Sequence, residues 1–525
     1  MEKAAKMGKV SVTGSFQLFV GKALSTVLLA IGSIIMARLM EPAEYGLYTI
    51  ALVPSMTICI FHDWGIGQAM AKYIARARNM EKDEEIADII ITGLTFKAIT
   101  GLALSIISLF LTNYIAIEFF NRPETAPLIS IVSFVVLSDS LLTAAQSNFT
   151  GFERMELTSL TMTCQAILKT AIAPALVLVG YGALGAVIGH TVSYLIAGIT
   201  SVLTLYFLIF KNLKKLNKHR LFKVTTLKKL LRYGVPLSFS TMLGSILTQL
   251  ISFLMVVYCN DVNIGNNQVA ANFAIFLAFF SYPIATVLFP AFSKLNSKTE
   301  RQLLKTIFTS AVKYSSLFLV PATMITIVLA EPLVSIVFGQ KWIHAPFFLT
   351  LHVIINLFVI FGNLVNQSFL AGVGETKILL KLGILNLSLG IPLAFILIPP
   401  YGIVGVILGN LFAGIPGIFL SLYWLWKHYN IKPNFKISTK IFLAALIATA
   451  TAYISLNLII NSNLMKLTIG ATVFLATYII VTPVLGGVTK KDIQTLRNMF
   501  SGLKVISRLI DIPLSIAEKV LSIMC

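Results

Sequence analysis

The stretch Val179–His190, VGYGALGAVIGH, decides what kind of molecule this is. Within it Gly180, Gly182 and Gly185 match the G-x-G-x-x-G fingerprint of dinucleotide-binding turns. That turn needs a strand before it, a soluble helix after it and an acidic residue about 20 positions on. Here both flanks are long apolar runs, and no Asp or Glu occurs between Glu156 and Asp261. No cofactor is implied.

The stretch has an echo. YGALGAVIGH begins at Tyr181 and YGIVGVILGN begins at Tyr401, so Tyr-Gly-x-x-Gly-x-x-x-Gly recurs 220 residues later. Pro400 replaces the first glycine of the fingerprint, so what repeats is not the cofactor pattern. It reads as a tight turn followed by a helix face of small residues that allows close packing. Pro174 and Pro392, Lys97 and Lys313, and Gly151 and Gly372 recur at 218, 216 and 221 residues. The chain is therefore expected to be written twice.

Composition supplies the setting. The 525 residues are 57% hydrophobic and 12% charged, with a mean hydropathy of +0.87. A soluble protein carries about 25% charged residues. Apolar runs of about 20 residues, enough to cross the hydrocarbon core, recur from end to end, and they are continuous rather than alternating. The expected fold is an all-α polytopic membrane protein with about fourteen transmembrane helices, from near 15–38 to near 464–486. Spans 5 and 6 are placed near 157–180 and 183–210. Two six-helix bundles with an even number of spans keep one orientation, so a pseudo-twofold axis along the membrane normal relates them. Two C-terminal helices follow.

The predicted organisation is a first lobe at 1–210, a basic linker at 211–232, a second lobe at 233–430, spans 13 and 14 at 431–488, and a tail at 489–525. In the tail, Ile493, Leu496, Phe500, Leu503, Ile506 and Ile510 share one face, the pattern of an amphipathic helix on a membrane surface.

Of the 41 Lys and Arg residues, 33 fall in segments on one side of these spans and 4 on the other. The positive-inside rule then puts both termini in the cytoplasm. The net charge of +20 is accounted for by topology and implies no nucleic-acid partner. Cys59, Cys164, Cys259 and Cys525 are scattered and show neither a disulfide framework nor metal-ligand spacing.

Lys22, Lys97, Lys169, Lys313 and Asp139 lie inside spans. A charge near a span centre costs about 2.5–3.5 kcal/mol on insertion scales, so it faces a cavity or a partner unless it can snorkel. Lys169 and Asp139 lie about 18–21 Å along their helices at 1.5 Å per residue, too deep for easy snorkelling. Lys22, Lys97 and Lys313 lie about 10–14 Å from the cytoplasmic end by the same rise. Each is flanked at helical spacing by Ser, Thr or Gln; Lys97, for example, shares its face with Thr100, Gly101, Ser105, Ser108 and Thr112. Four lysines against one aspartate favour an anionic guest, and a lysine ammonium suits phosphate. A mutual Asp139–Lys169 ion pair is the alternative. His190 and His352 also lie in spans, where a packed, hydrogen-bonded histidine is the more ordinary role than proton coupling.

MARLMEPAEYGLYTIALV (36–53) and DWGIGQAMAKYIARAR (63–78) resemble the polysaccharide-biosynthesis flippase family, within the superfamily of the MATE-type antiporters and lipid II flippases. The resemblance continues in TGFERM (150–155) and AGVGETK (371–377). It implies a MATE-like fold and a flippase that moves a polyprenyl-(di)phosphate-linked oligosaccharide from the cytoplasmic to the outer leaflet. Two lobes would alternate access around a cationic cavity. It implies membrane lipids and glycan assembly enzymes as neighbours, and a monomer in the cell membrane.

Two other classes are weighed against this. An ion-coupled multidrug or cation antiporter would favour acidic or aromatic cavity residues, and of the five candidates only Asp139 fits. A membrane glycan polymerase or ligase would need a large extramembrane loop or a carboxylate cluster. No Asp-x-Asp occurs, nor any G-x-x-x-x-G-K-[ST] for nucleotide hydrolysis.

Overall fold

The computed structural model describes residues 2–213, 222–295, 299–458, 462–500 and 504–524. The centre of the predicted basic linker, 214–221, lies outside them. Among the described residues there is no strand. The helices are α1 (Glu2–Leu39), α2 (Pro42–Cys59), α3 (Ile66–Asn79), α4 (Asp83–Tyr114), α5 (Ala126–Gly151), α6 (Met155–Leu176) and α7 (Gly182–Leu208). Then come α8 (Val224–Tyr258), α9 (Asp261–Ser293), α10 (Arg301–Val328), α11 (Ala330–Phe338), α12 (Ala345–Val353) and α13 (Asn363–Gly372). The chain ends in α14 (Thr376–Tyr401), α15 (Ile403–Tyr429), α16 (Phe435–Asn457), α17 (Asn463–Val484), α18 (Lys490–Phe500) and α19 (Lys504–Met524).

Among the described residues, nine helical stretches are long and apolar enough to cross a membrane, or eleven if two sharply bent pairs each form one span. That is fewer than the fourteen expected. One reason is that Met155–Asn212 runs as a single 58-residue stretch over both span 5 and span 6. At 1.5 Å per residue it would measure about 87 Å, more than twice the hydrocarbon thickness. Another is α2, which has 18 residues and a first turn made polar by Glu44.

The long stretch reverses at the opening motif. Gly180 has φ 102° and Gly182 has φ 49°, ψ −132°, conformations that require a residue without Cβ. Beyond the turn, a Cβ on Gly189 would run into the backbone of Ala173 on α6. The glycines therefore make a turn and then a close helix pair.

The chain divides into two compact units, Met1–Gln268 and Val269–Cys525. In the first, α1 packs on α6, α4 on α5, and α5 and α6 on α7. Small residues bring these backbones together, as close packing in lipid demands. Gly21 meets Ser159 and Gly32 meets Thr170, while Ser159 Oγ donates to Gln17 O (2.8 Å) and Thr170 Oγ1 to Leu28 O (2.9 Å). Helix α4 is polar inside and apolar outside. Lys97, Ser105, Ser108 and Thr112 are buried against α5, and Ile99, Leu102, Ile106 and Phe110 are exposed.

Helix α8, the first span of the second repeat, belongs to the first unit and packs on α2, α3 and α4. At one end Arg122 donates to Asp261 Oδ1, Val256 O and Cys259 O, each at 2.6 Å. At the other, Gly65 (φ 71°) and Gly234 touch backbone to backbone. Lys229 pairs there with Glu85 (2.6 Å) and Lys223 with Asp88 (2.7 Å).

In the second unit, α14 and α15 form a hairpin through Gly402, and α16 and α17 form another. The second hairpin packs on α10, placing Ala444, Ala448, Phe474 and Tyr478 in one core with Leu317, Val320 and Met324. The predicted single tail helix is two. Ile493 and Leu496 of α18 are buried in that same core, and Arg497 ties α18 to Asp511 (2.7 Å) and Glu518 (2.8 Å) of α19. Leu503 lies outside the described residues, as do the side chains of Phe500, Ile506 and Ile510.

Candidate functional site: an Asp–Lys–His–Asp chain

The break between α2 and α3 builds one side of the site. Helix α2 stops at Cys59, and Trp64 (φ 48°) and Gly65 (φ 71°) turn the chain through the left-handed region into α3. A tryptophan in that region costs of the order of 1–3 kcal/mol, so surrounding contacts must hold it. The turn leaves His62 and Asp63 beside α4 and α5. Asp63 Oδ1 accepts from Gly67 N (3.2 Å), in the first turn of α3, where a negative charge also meets the helix dipole favourably.

Lys97 enters from α4, and its side chain is completely buried. Its Nζ lies 2.7 Å from Asp63 Oδ1, 3.1 Å from Thr143 Oγ1 and 3.3 Å from His62 Nδ1. An ammonium has three donors and no acceptor, so all three are used here. Ser140 Oγ donates to Lys97 O (2.7 Å) and fixes the register of α4 on α5.

The ammonium decides the tautomer of His62. Nδ1 faces a donor and must accept, so the proton resides on Nε2, which donates to Asp139 Oδ2 at 2.9 Å. The result is a continuous chain, Asp63–Lys97–His62–Asp139. The Lys97 end of the ion pair is fully buried and its three donors are all used, while the Asp63 carboxylate stays 38% exposed and so keeps part of its solvation.

Cys59, His62 and Asp139 place three potential metal ligand atoms within 4.8 Å of one another. They do not suit a metal. Ligation through Nε2 would require a proton on Nδ1, pointing at the Lys97 ammonium, whereas metal-binding imidazoles donate that proton to an acceptor.

A second polar group lies in the same unit. Lys169, half-buried on α6, makes no hydrogen bond or ion pair among the described residues. It acts electrostatically on His190 of α7, whose buried Nε2 also has no partner. His190 Nδ1 lies 3.4 Å from Tyr48 OH, and the His190 ring is 5.1 Å from that of Tyr194.

The structure thus brings Lys97 and Asp139 into one network and places Lys169 in the same unit beside His190. Asp139 pairs with His62 rather than with Lys169. Lys22 lies on the exposed side of α1. Lys313 is in the second unit, where its Nζ is 2.5 Å from Asp492 Oδ2. His62 and Asp63 were not among the sequence candidates. The signal was present: two adjacent ionisable residues at the end of an apolar run, beside a glycine turn.

A family profile described as polysaccharide biosynthesis protein matches residues 35–346. The chain belongs to this polysaccharide biosynthesis protein family. Among its relatives is the lipopolysaccharide biosynthesis protein WzxC of Escherichia coli (strain K12), 25% identical over 404 residues, covering 75% of this chain and 76% of that one. Another is the probable low-salt glycan biosynthesis flippase Agl15 of Haloferax volcanii, 21% identical over 43% of this chain and 48% of that one. In fold, this family member is similar to the lipid II flippase MurJ in an inward closed conformation, with a TM-score of 0.73 at 18% identity. That match covers 89% of this chain and 98% of MurJ. It is also similar to an inward-facing multidrug resistance MATE family transporter, with a TM-score of 0.60 at 16% identity over 79% and 98% of the two chains. The all-helical transporter fold expected from the repeat and the apolar runs is the one these similarities describe.

Proposed function

We propose that the protein is a flippase that moves a polyprenyl-(di)phosphate-linked oligosaccharide from the cytoplasmic to the outer leaflet, for polysaccharide or glycoprotein biosynthesis. Its termini are cytoplasmic by the distribution of basic residues, and it works as a monomer in the cell membrane beside glycan assembly enzymes. The observation that carries the reading is Lys169: a half-buried ammonium with no counterion among the described residues, in a chain whose relatives include a named glycan flippase. A diphosphate supplies the missing negative charge, and the prenyl tail can stay in lipid. Lys97 has a different part. Its charge is met by Asp63, so it organises the first lobe and becomes available to an anion only if that carboxylate is protonated or moves.

Alternating access would release α8 from the first unit at one end at a time, with Arg122–Asp261 and Lys229–Glu85 as the two closures. One observation favours a second reading. Asp63 and Asp139 are the pair of carboxylates that a cation antiporter would use. Proteoliposomes separate the two readings. Protein-dependent transfer of a labelled polyprenyl-diphosphate oligosaccharide, weakened at least tenfold by Lys169→Ala, supports the flippase; cation efflux without lipid transfer supports the antiporter.

A further inference from the structure

Helices α14 and α15 run antiparallel from the turn at Gly402, and their far ends carry an unusual set of side chains. The Lys381 ammonium of α14 stands 5.9 Å from the centre of the Trp424 ring of α15. The His428 ring stacks on the same indole with 3.9 Å between centroids. Lys377 lies one turn back from Lys381 and His428 one turn on from Trp424, so antiparallel pairing brings these two to one level. Lys427 follows on α15.

Two observations show that this group is unfinished. Lys377, Lys381, Lys427 and His428 are all exposed, and none has a carboxylate partner among the described residues. The acid nearest in sequence, Glu375, accepts instead from Tyr429 OH (2.7 Å). Independently, the buried indole N–H of Trp424 has no acceptor among the described residues. A donor left without a partner is costly beside lipid, where water does not replace the missing acceptor.

Towards Gly402 the same surface turns apolar. Leu380 and Ile384 of α14 and Phe419 of α15 are exposed, and Ile384 continues the face that carries both lysines. Cations and an indole N–H at one level, with an exposed apolar strip beneath them, match a phospholipid with an anionic head and acyl tails. A soluble phosphate would leave the strip unused.

We propose that the basic end of the α14–α15 hairpin binds an anionic glycerophospholipid. Its phosphate is met by the lysines and His428, one of its oxygens accepts from Trp424 Nε1, and its chains lie along Ile384 and Phe419. The site lies in the second unit and needs only a membrane, so it does not rest on the flippase reading.

The test titrates phosphatidylglycerol and phosphatidylcholine into the detergent-solubilised full chain and counts retained lipid by native mass spectrometry. Wild-type protein should hold phosphatidylglycerol about tenfold more tightly than phosphatidylcholine. Lys377→Gln with Lys381→Gln, and separately Lys427→Gln with His428→Gln, should each cut that preference about fivefold. Trp424→Phe, which keeps an aromatic ring and deletes the N–H, should weaken phosphatidylglycerol retention about threefold. Lys490→Gln with Lys491→Gln removes two exposed charges from the tail and should change nothing. Equal retention of the two lipids by wild-type protein, or an equal loss in the tail variant, overturns the site. Displacement of phosphatidylglycerol by soluble glycerol phosphate overturns the choice of a lipid.

Discussion

Gly182 and Gly402, 220 residues apart, hold the same backbone conformation, φ 49°, ψ −132° and φ 55°, ψ −127°. Each opens the last helix of its repeat, and the glycine three residues on packs against the preceding helix. A Cβ on Gly185 would crowd Leu176, and one on Gly405 would run into Leu397 O. Alanine at either turn must take up a conformation costing of the order of 1–3 kcal/mol. Gly182→Ala and Gly402→Ala are therefore expected to lower the melting temperature in detergent by similar amounts. Gly414→Ala, on α15 with open space where the Cβ would go, should be neutral or slightly stabilising.

The Asp–Lys–His–Asp chain should behave as a coupled unit. Lys97→Ala leaves Asp63 and the His62–Asp139 pair without their cation; because the Asp63 carboxylate is 38% exposed, the loss should fall below the roughly 3–5 kcal/mol of a fully buried pair. Asp63→Asn with Lys97→Met removes both charges and should recover at least half of that. A double-mutant cycle on thermal or denaturant unfolding measures this coupling, and additive single and double variants would show that the ion pair is not structural.

This network marks where the sequence stopped being readable. That Lys97 points inward was legible, because Ser105, Ser108 and Thr112 continue its face and Ile99, Ile106 and Phe110 fill the other. Which groups it would meet was not. His62 lies 35 residues away on a helix break, and periodicity within one helix carries no information about register between helices. Asp492 was further out of reach, since only the folded tail shows that Lys313 has a counterion. The turn at Gly180–Gly182 was readable because its conformation admits glycine and little else.

Acid should undock the tail. Burial alone would raise the Asp492 carboxyl, but hydrogen bonds from Lys313 and Thr489, with the Lys313 charge, hold it below its usual range. A carboxylate depressed in the folded state stabilises fully above its unfolded pKa, about 3.9, and loses that contribution as pH falls through the folded value. The α10–α18 distance should therefore be constant from pH 8 to about pH 5 and lengthen only below about pH 4. In Asp492→Asn it should be long at every pH.

The Arg122 closure can be read through a native thiol. Cys259 is buried, and its carbonyl accepts from Arg122 at 2.6 Å. Arg122→Ala should raise the rate of Cys259 modification by a membrane-impermeant maleimide at least tenfold, while leaving Cys164 on α6 unchanged. Equal rates at Cys259 would show that Arg122 does not hold this end of α8 shut.

The central claim is that the Lys169 ammonium of the first lobe, which has no ion-pair partner among the described residues, receives the phosphate of a lipid-linked glycan. Its most direct test is transfer of a fluorescent polyprenyl-diphosphate oligosaccharide across proteoliposomes containing wild-type protein or Lys169→Ala. Transfer should depend on the protein and fall at least tenfold in Lys169→Ala, with the melting temperature unchanged. Equal transfer by the two proteins would contradict it.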